Sequence, residues 1–143
     1  MHITESDLFY GLDLTVMSKI ADICLEEKYA DGTILFREGE KANNLYILEE
    51  GIAELLIDED TFIYSLTEQS DVFGWSSLVE SGQYTATAVC MTDVKVLKIP
   101  TGILQRIFDE NPEVGSVVYR RLAGIFNKRL TKTYRKFIAV LKK

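Results

Sequence analysis

The chain has 143 residues, of which 47% are apolar and 27% charged, the profile of one globular domain long enough to bury a core. No apolar run reaches the ~20 residues that span a bilayer, and the acidic opening MHITESDLFYGLD lacks the basic and apolar regions of a secretory signal, so a cytoplasmic protein is expected. The net charge of −6 hides an asymmetry: all 22 acidic residues lie at or before Glu113, while Val114 to Lys143 holds 9 Lys and Arg and no acid, so an acidic body carries a basic tail suited to self-attraction, an acidic partner or a polyanion.

Ser6 to Glu27 reads as helical, broken near Gly11, with Leu14, Met17, Ile20, Ala21 and Cys24 at helical spacing and Asp13 placed as an N-cap. From Lys28 to Ile99 the signal changes to short strands. Tyr29-Ala30 and Thr33 to Phe36 flank a turn at Asp31-Gly32. LYILEEG and IAELLI meet at Gly51, Asp58 to Asp60 turns into TFIYSLTE, and TATAVCMTDVKVLKI alternates with a break at Thr92-Asp93. Seven or eight strands at this spacing predict a mainly β fold, a jelly-roll barrel over about 28–99.

After Pro100 the pattern is helical again. Leu104, Ile107 and Phe108 predict a short helix. Asn111-Pro112-Glu113 starts a long one, with Asn as cap and Pro at the first position. Its apolar stripe runs from Val114 through Val117, Val118, Leu122, Ile125, Phe126, Leu130, Tyr134, Phe137 and Ile138 to Leu141. About thirty residues make roughly 45 Å of helix, and the far end is expected to overhang its own core and need a cover. The expected organisation is a single unit over 1–143, with N-terminal helices at about 6–27 and C-terminal helices at about 101–141. Cys24 and Cys90 match no metal or redox spacing and read as buried reduced thiols.

Several turn motifs fall in a recognisable order. YADGTILF carries Gly32, Glu38-Gly39-Glu40 forms a turn, NLYILEEGIAE carries Gly51, and Phe73-Gly74 opens the stretch from Asp71 to Val89. With Thr92-Asp93-Val94 and the terminal helix, this series resembles the cyclic-nucleotide-binding domain. The resemblance covers roughly residues 8 to 135 and implies a double-stranded β-helix with a phosphate-binding cassette, here Phe73, Gly74, Trp75, Ser76, Ser77, Leu78, Tyr84, Thr85 and Ala86.

In that family the cassette reads F-G-E-L-A-L, then P-R-A-A-T. A short helix offers backbone N–H groups to the cyclic phosphate, the arginine pairs with it, and the glutamate accepts the ribose hydroxyl. Here Trp75 stands at the glutamate and Tyr84 at the arginine. Two lost charge-assisted hydrogen bonds, each worth about 1.5–3 kcal/mol, would weaken binding roughly a hundred- to ten-thousandfold. No Lys or Arg lies between Lys41 and Lys95 to substitute. Usual binding of cyclic AMP or cyclic GMP is therefore not expected, and no other cofactor is implied. Either the two aromatics fill the pocket, or a neutral or weakly charged ligand sits against them and the hydroxyls of Ser76, Ser77, Thr85 and Thr87.

An enzyme is not expected. The only histidine is His2, so the histidine clusters of metal-dependent jelly rolls cannot be assembled, and Glu26-Glu27 and Glu49-Glu50 read as solvated surface carboxylates. The chain stops at Lys143, leaving no room for a helix-turn-helix DNA-binding domain. The basic residues of the long helix read as its solvated face, with nonspecific contact to a polyanion or a membrane surface as alternatives. What remains is a regulatory sensor or adaptor, paired with a copy of itself or with a protein partner through Val118, Leu122, Ile125, Phe126, Leu130 and Phe137. Arg129 and Thr133 interrupt that stripe and argue against a dry coiled coil. The resemblance further implies that this helix closes over a ligand, with Thr131 or Thr133 as the candidate lid.

Overall fold

Strand β3 (Asn44–Glu50) shows how the sheets are organised. Leu45 and Ile47 point to one side and Tyr46 and Leu48 to the other, and all four are buried, because this strand has a core on each face. The computed structural model describes residues 2–79 and 82–143; Glu80 and Ser81 of the cassette stretch lie outside the described residues. The remaining strands are β1 (Leu25–Tyr29), β2 (Ile34–Phe36), β4 (Ala53–Ile57), β5 (Thr61–Leu66), β6 (Val72–Phe73), β7 (Thr87–Cys90) and β8 (Val94–Pro100). They form two four-stranded antiparallel sheets, ordered β1-β8-β3-β6 and β2-β7-β4-β5. The mainly β, jelly-roll type of fold is the one expected from the sequence. Among the described residues the two sheets are not joined by hydrogen bonds into a closed barrel.

One core lies between the sheets and includes Phe36, Tyr46, Leu48, Leu55, Phe73, Tyr84 and Val96. The second lies on the other face of β3 and β8, where Leu45, Ile47, Leu97 and Ile99 meet α1 (Leu14–Ile23), α2 (Thr101–Glu110) and the start of α3 (Pro112–Leu141). Gly51 turns β3 into β4 at φ +94°, and a Cβ there would lie 2.3 Å from the Asp93 carbonyl oxygen, so the hairpin tolerates only glycine.

The helix boundaries follow their caps, with two corrections. Asp13 caps α1 as expected, its carboxylate accepting from the Val16 N–H at 3.2 Å. The helix stops at Cys24, which is extended, and residues 25–27, expected as helix, form β1 instead. Local periodicity misses this because the stabilising partners are distant: β1 pairs with β8 in register Leu25↔Lys98 to Tyr29↔Val94, and Lys95 meets Glu26 at 3.1 Å while Lys98 meets Glu27 at 3.5 Å. The second correction is at Asn111, whose side chain does not cap α3. Its Nδ2 donates back to the Ile107 carbonyl of α2 at 2.9 Å, so it finishes one helix and leaves the start of the next to Pro112.

Glu49 also departs from expectation. It is only 4% exposed, not a solvated carboxylate, and pairs with Lys95 at 3.4 Å. Burying it works because the same lysine bridges Glu26 at the sheet edge. Cys24 and Cys90 are free thiols; Cys90 is buried as expected, whereas Cys24, where α1 gives way to β1, is half-buried. Among the described residues no helix is long and apolar enough to cross a membrane.

Candidate functional site

The cassette begins where β6 ends. Gly74 sits at φ +75°, and a Cβ there would press to 3.0 Å on both the Asn44 carbonyl oxygen and the Tyr46 ring. Glycine therefore lets the chain turn against β3 and start the single 3-10 turn Trp75–Leu78. Phe73, just before it, is buried and stacks on Tyr46 with ring centroids 5.2 Å apart.

The hydroxyls read from the sequence as ligand contacts are engaged within the protein. Ser77 Oγ donates to the Gly74 carbonyl at 2.8 Å, and Ser76 Oγ and Thr85 Oγ1 approach to 3.4 Å across the cassette. Thr87 Oγ1 accepts from the Glu38 N–H at 2.9 Å. Around Tyr84 the backbone is tied to the turn before β3, with the Gly39 N–H donating to Tyr84 O at 2.8 Å and the Tyr84 N–H to Glu40 O at 2.9 Å.

Tyr84 itself turns inward. It is 5% exposed and stacks on Phe36 with centroids 3.8 Å apart. Its hydroxyl donates to the Asn44 carbonyl at 2.9 Å and accepts from the Asn44 N–H at 3.3 Å. Burial pushes its pKa up, so it stays a neutral phenol. The space left between Phe36, Tyr84, Thr85, Ala86 and the 3-10 turn is about 30 Å³, room for no more than a water or two.

Trp75 faces the other way. Its ring meets Phe126 of α3 at 4.8 Å. Arg129, one turn further along the helix, lays its guanidinium 4.6 Å above Trp75 and 5.0 Å from the Tyr64 ring. These residues, with Leu55, Ile63, Leu130 and Thr133, line a cavity of about 510 Å³ between the β4–β5 hairpin, the cassette and α3. Nη1 and Nη2 of Arg129 are both buried without a hydrogen-bond partner among the described residues. Burial pulls its pKa below the ordinary guanidinium value, while Tyr64 and Asp71 oppose the shift.

The structure thus divides the residues read from the sequence. Phe73, Gly74, Ser76, Ser77, Tyr84 and Ala86 close the cassette, and Trp75 belongs to the larger cavity. Leu78 is half-buried and packs on the helical core. Of the two lid candidates, Thr133 lines the cavity and donates its hydroxyl to the Arg129 carbonyl at 2.9 Å; Thr131 is exposed and lies off it. On the helix stripe, Val118 and Leu122 are buried in the protein's own core, so they cannot face a partner. Ile125 and Phe126 are half-buried, while Leu130 and Phe137 are exposed. Arg129 is the residue that sequence reasoning placed but misread. It sits seven residues after buried Leu122, on the inward face, and is part of the protein's own packing rather than a polar interruption of a partner stripe. Arg121 is likewise not part of the solvated face: its Nη1 donates to the Leu8 and Tyr10 carbonyls at 3.3 and 2.6 Å.

Comparison with known proteins agrees with the fold. The family model of the cyclic nucleotide-binding domain matches residues 26–111. Among curated relatives, a cAMP-dependent protein kinase regulatory subunit of Pyricularia oryzae is 34% identical over 93 residues, covering 63% of this chain and 23% of that protein. A CRP-like cAMP-activated global transcriptional regulator of Mycobacterium tuberculosis is 24% identical over 134 residues, 92% of this chain and 58% of that one. The chain therefore spans under a quarter of the kinase subunit and little more than half of the bacterial regulator. A solved structure from Geobacter metallireducens, described as a cyclic nucleotide-binding protein, superposes with a TM-score of 0.79 at 30% identity, over 86% of this chain and 91% of that one.

Proposed function

Since the chain belongs to the cyclic nucleotide-binding domain family, we propose that it is a regulatory domain that does not hold cyclic AMP or cyclic GMP in the family's usual way and whose output is α3. The observation that carries this reading is Tyr84. At the position of the family's phosphate arginine stands a buried, neutral phenol stacked on Phe36 and bonded to Asn44. It removes the charge that would pair with a phosphate and fills the space that a phosphate would take.

The output reading rests on α3. Its first turns pack on the core through Val118 and Leu122. From Leu130 onward, Tyr134, Phe137, Ile138 and Leu141 are exposed on one stripe. An occupant of the cavity under Phe126 and Arg129 would touch this helix directly and would shift its packing if it bound one arrangement better than another. The exposed stripe then meets a second copy or a protein partner.

Isothermal titration of nucleotide-free protein with cyclic AMP and cyclic GMP tests the ligand reading. A Trp75→Glu, Tyr84→Arg double variant, checked for folding by circular dichroism, runs alongside. The wild type is expected to give no saturable heat, with binding appearing in the variant. Micromolar binding by the wild type would overturn the proposal.

A further inference from the structure

Every residue of the chain from Leu130 to Lys143 is exposed. This part of α3 carries six large apolar side chains, Leu130, Tyr134, Phe137, Ile138, Val140 and Leu141. On a helix of about 3.6 residues per turn they fall within one arc of roughly 160°. Lys132, Arg135, Lys136 and Lys142 take the other side, and residues 130–143 hold no acid. Lys132 and Lys136 lie over the Tyr64 ring at 5.2 and 5.8 Å. The basic side is therefore turned toward the β4–β5 hairpin, and the part of the arc around Tyr134 and Leu141 is turned away from the body. A contiguous apolar patch rimmed by polar groups marks a surface that meets something.

Charge and the width of the arc decide what that is. A nucleic acid would take the charges and leave the apolar arc in water. One partner helix covers a narrower seam, which leaves Ile138 or Val140 wet at its margin, and the tail of a second copy offers no acid to answer the lysines. An anionic lipid surface takes the whole arc. It buries the apolar half of the helix, while the long basic side chains reach the lipid phosphates from its flanks. The acidic body does not oppose this contact. The hairpin lies behind the helix, about one helix diameter, ~10 Å, further from the lipid, which is comparable with the Debye length of about 8 Å at physiological salt.

We infer that residues 130–143 of α3 lie in the interface of an anionic bilayer, with Tyr134, Phe137 and Leu141 among the acyl chains and the basic side chains on the headgroup phosphates. The inference goes beyond the reading of the cassette and does not depend on it. It gives the exposed stripe an occupant other than a second copy or a protein. The first turns of α3, packed through Val118 and Leu122, stay on the core, so the contact holds the domain at the surface without unfolding any of it.

The test is vesicle flotation of the full chain, with phosphatidylcholine alone and with phosphatidylcholine carrying about 30% phosphatidylserine. Each Lys or Arg near an anionic surface strengthens binding about fivefold, so the mixed vesicles should bind at least thirtyfold more tightly. Raising the salt should shrink that advantage. A Phe137→Ser, Leu141→Ser double variant should lose at least tenfold on the mixed vesicles. Both residues are exposed, so its circular dichroism and thermal midpoint should match wild type. An Arg135→Gln, Lys142→Gln variant should lose at least tenfold on the mixed vesicles and nothing on phosphatidylcholine alone. No flotation with mixed vesicles up to millimolar lipid overturns the inference, as does equal binding to the two kinds of vesicle. Binding that survives the Phe137 and Leu141 changes also overturns it, since charge alone would then act, as it would toward an acidic protein. Sedimentation of the same protein without lipid separates the two readings of the stripe: self-association with no flotation sinks this inference and leaves the stripe to a second copy.

Discussion

Tyr84 shows how one side chain can close a ligand site while strengthening the fold around it. An arginine at this position would need a phosphate or water to satisfy it, whereas the phenol finds both partners in one backbone unit, the N–H and carbonyl of Asn44. Tyr84→Phe keeps the stack on Phe36 and removes only those two bonds. It should lower stability by about 1–2 kcal/mol, since part-buried groups lose their partner, and the loss is read from the urea midpoint. An unchanged midpoint would mean that the hydroxyl contributes nothing and that ring packing alone closes the site. Trp75 is the counterpart at the same scale: the residue in the glutamate's position faces α3 and leaves the cassette. The sequence made both substitutions visible, but not their directions. Which way an aromatic ring turns is settled by what packs beside it, here Phe36 for one and Phe126 for the other.

At the scale of the element, α3 behaves as two helices joined end to end. Up to Leu122 it is part of the core; past Leu130 its apolar residues meet solvent, with Phe137 62% exposed. The repeat is continuous through both halves, so periodicity alone marked the stripe without marking where the protein's own core stops supplying contacts. If the exposed stripe meets a second copy, the basic residues of α3 and the acidic body of the chain attract each other, and salt screens that attraction. Sedimentation velocity is therefore expected to show self-association that weakens with rising salt and is lost in Phe137→Asp, while the thermal midpoint stays within a degree or two because an exposed residue is changed. A monomer at every concentration and salt would move the output of α3 to a different protein. The element most poorly legible was β1, where helical spacing ran on through Leu25 but cross-strand pairing with Lys95 and Lys98 won.

Across the whole molecule, the jelly roll was legible because its turns are written in local chemistry. Gly51 and Gly74 each sit where a Cβ would strike backbone or ring, and the strands between such turns alternate or run apolar as their faces require. The buried charge chemistry was not legible, because Glu49, Glu26 and Lys95 come together only through sheet register. That network, with the half-buried Cys24 thiol and the buried Tyr84 phenol, sets how the protein responds to alkali. Burial, then Glu49 and Glu26, push the Cys24 thiol from its ordinary value of 9.0 up to about 11, burial raises the Tyr84 phenol, and the hydrogen bond with Glu26 leads in raising Lys95. Each group keeps its proton in the folded protein after the unfolded chain has lost it. The stability contributed by Cys24 is thus complete below about pH 9 and falls as pH rises toward about 11, with Tyr84 and Lys95 acting in the same direction. Urea midpoints at about pH 8 and about pH 10.5 should fall with pH, and less so in Cys24→Ser; a flat or rising profile would contradict this assignment.

If the cassette of this cyclic-nucleotide-binding fold is closed by Tyr84, the thermal midpoint of the wild-type protein is the same with and without cyclic AMP or cyclic GMP. A ligand present at a hundred times its Kd adds about 2.7 kcal/mol to the folded state, which for a chain of this size raises the midpoint by about 5–10 °C. No rise is expected with either nucleotide at millimolar concentration. A saturable rise of several degrees would show that the cassette opens around Tyr84 and takes the phosphate after all.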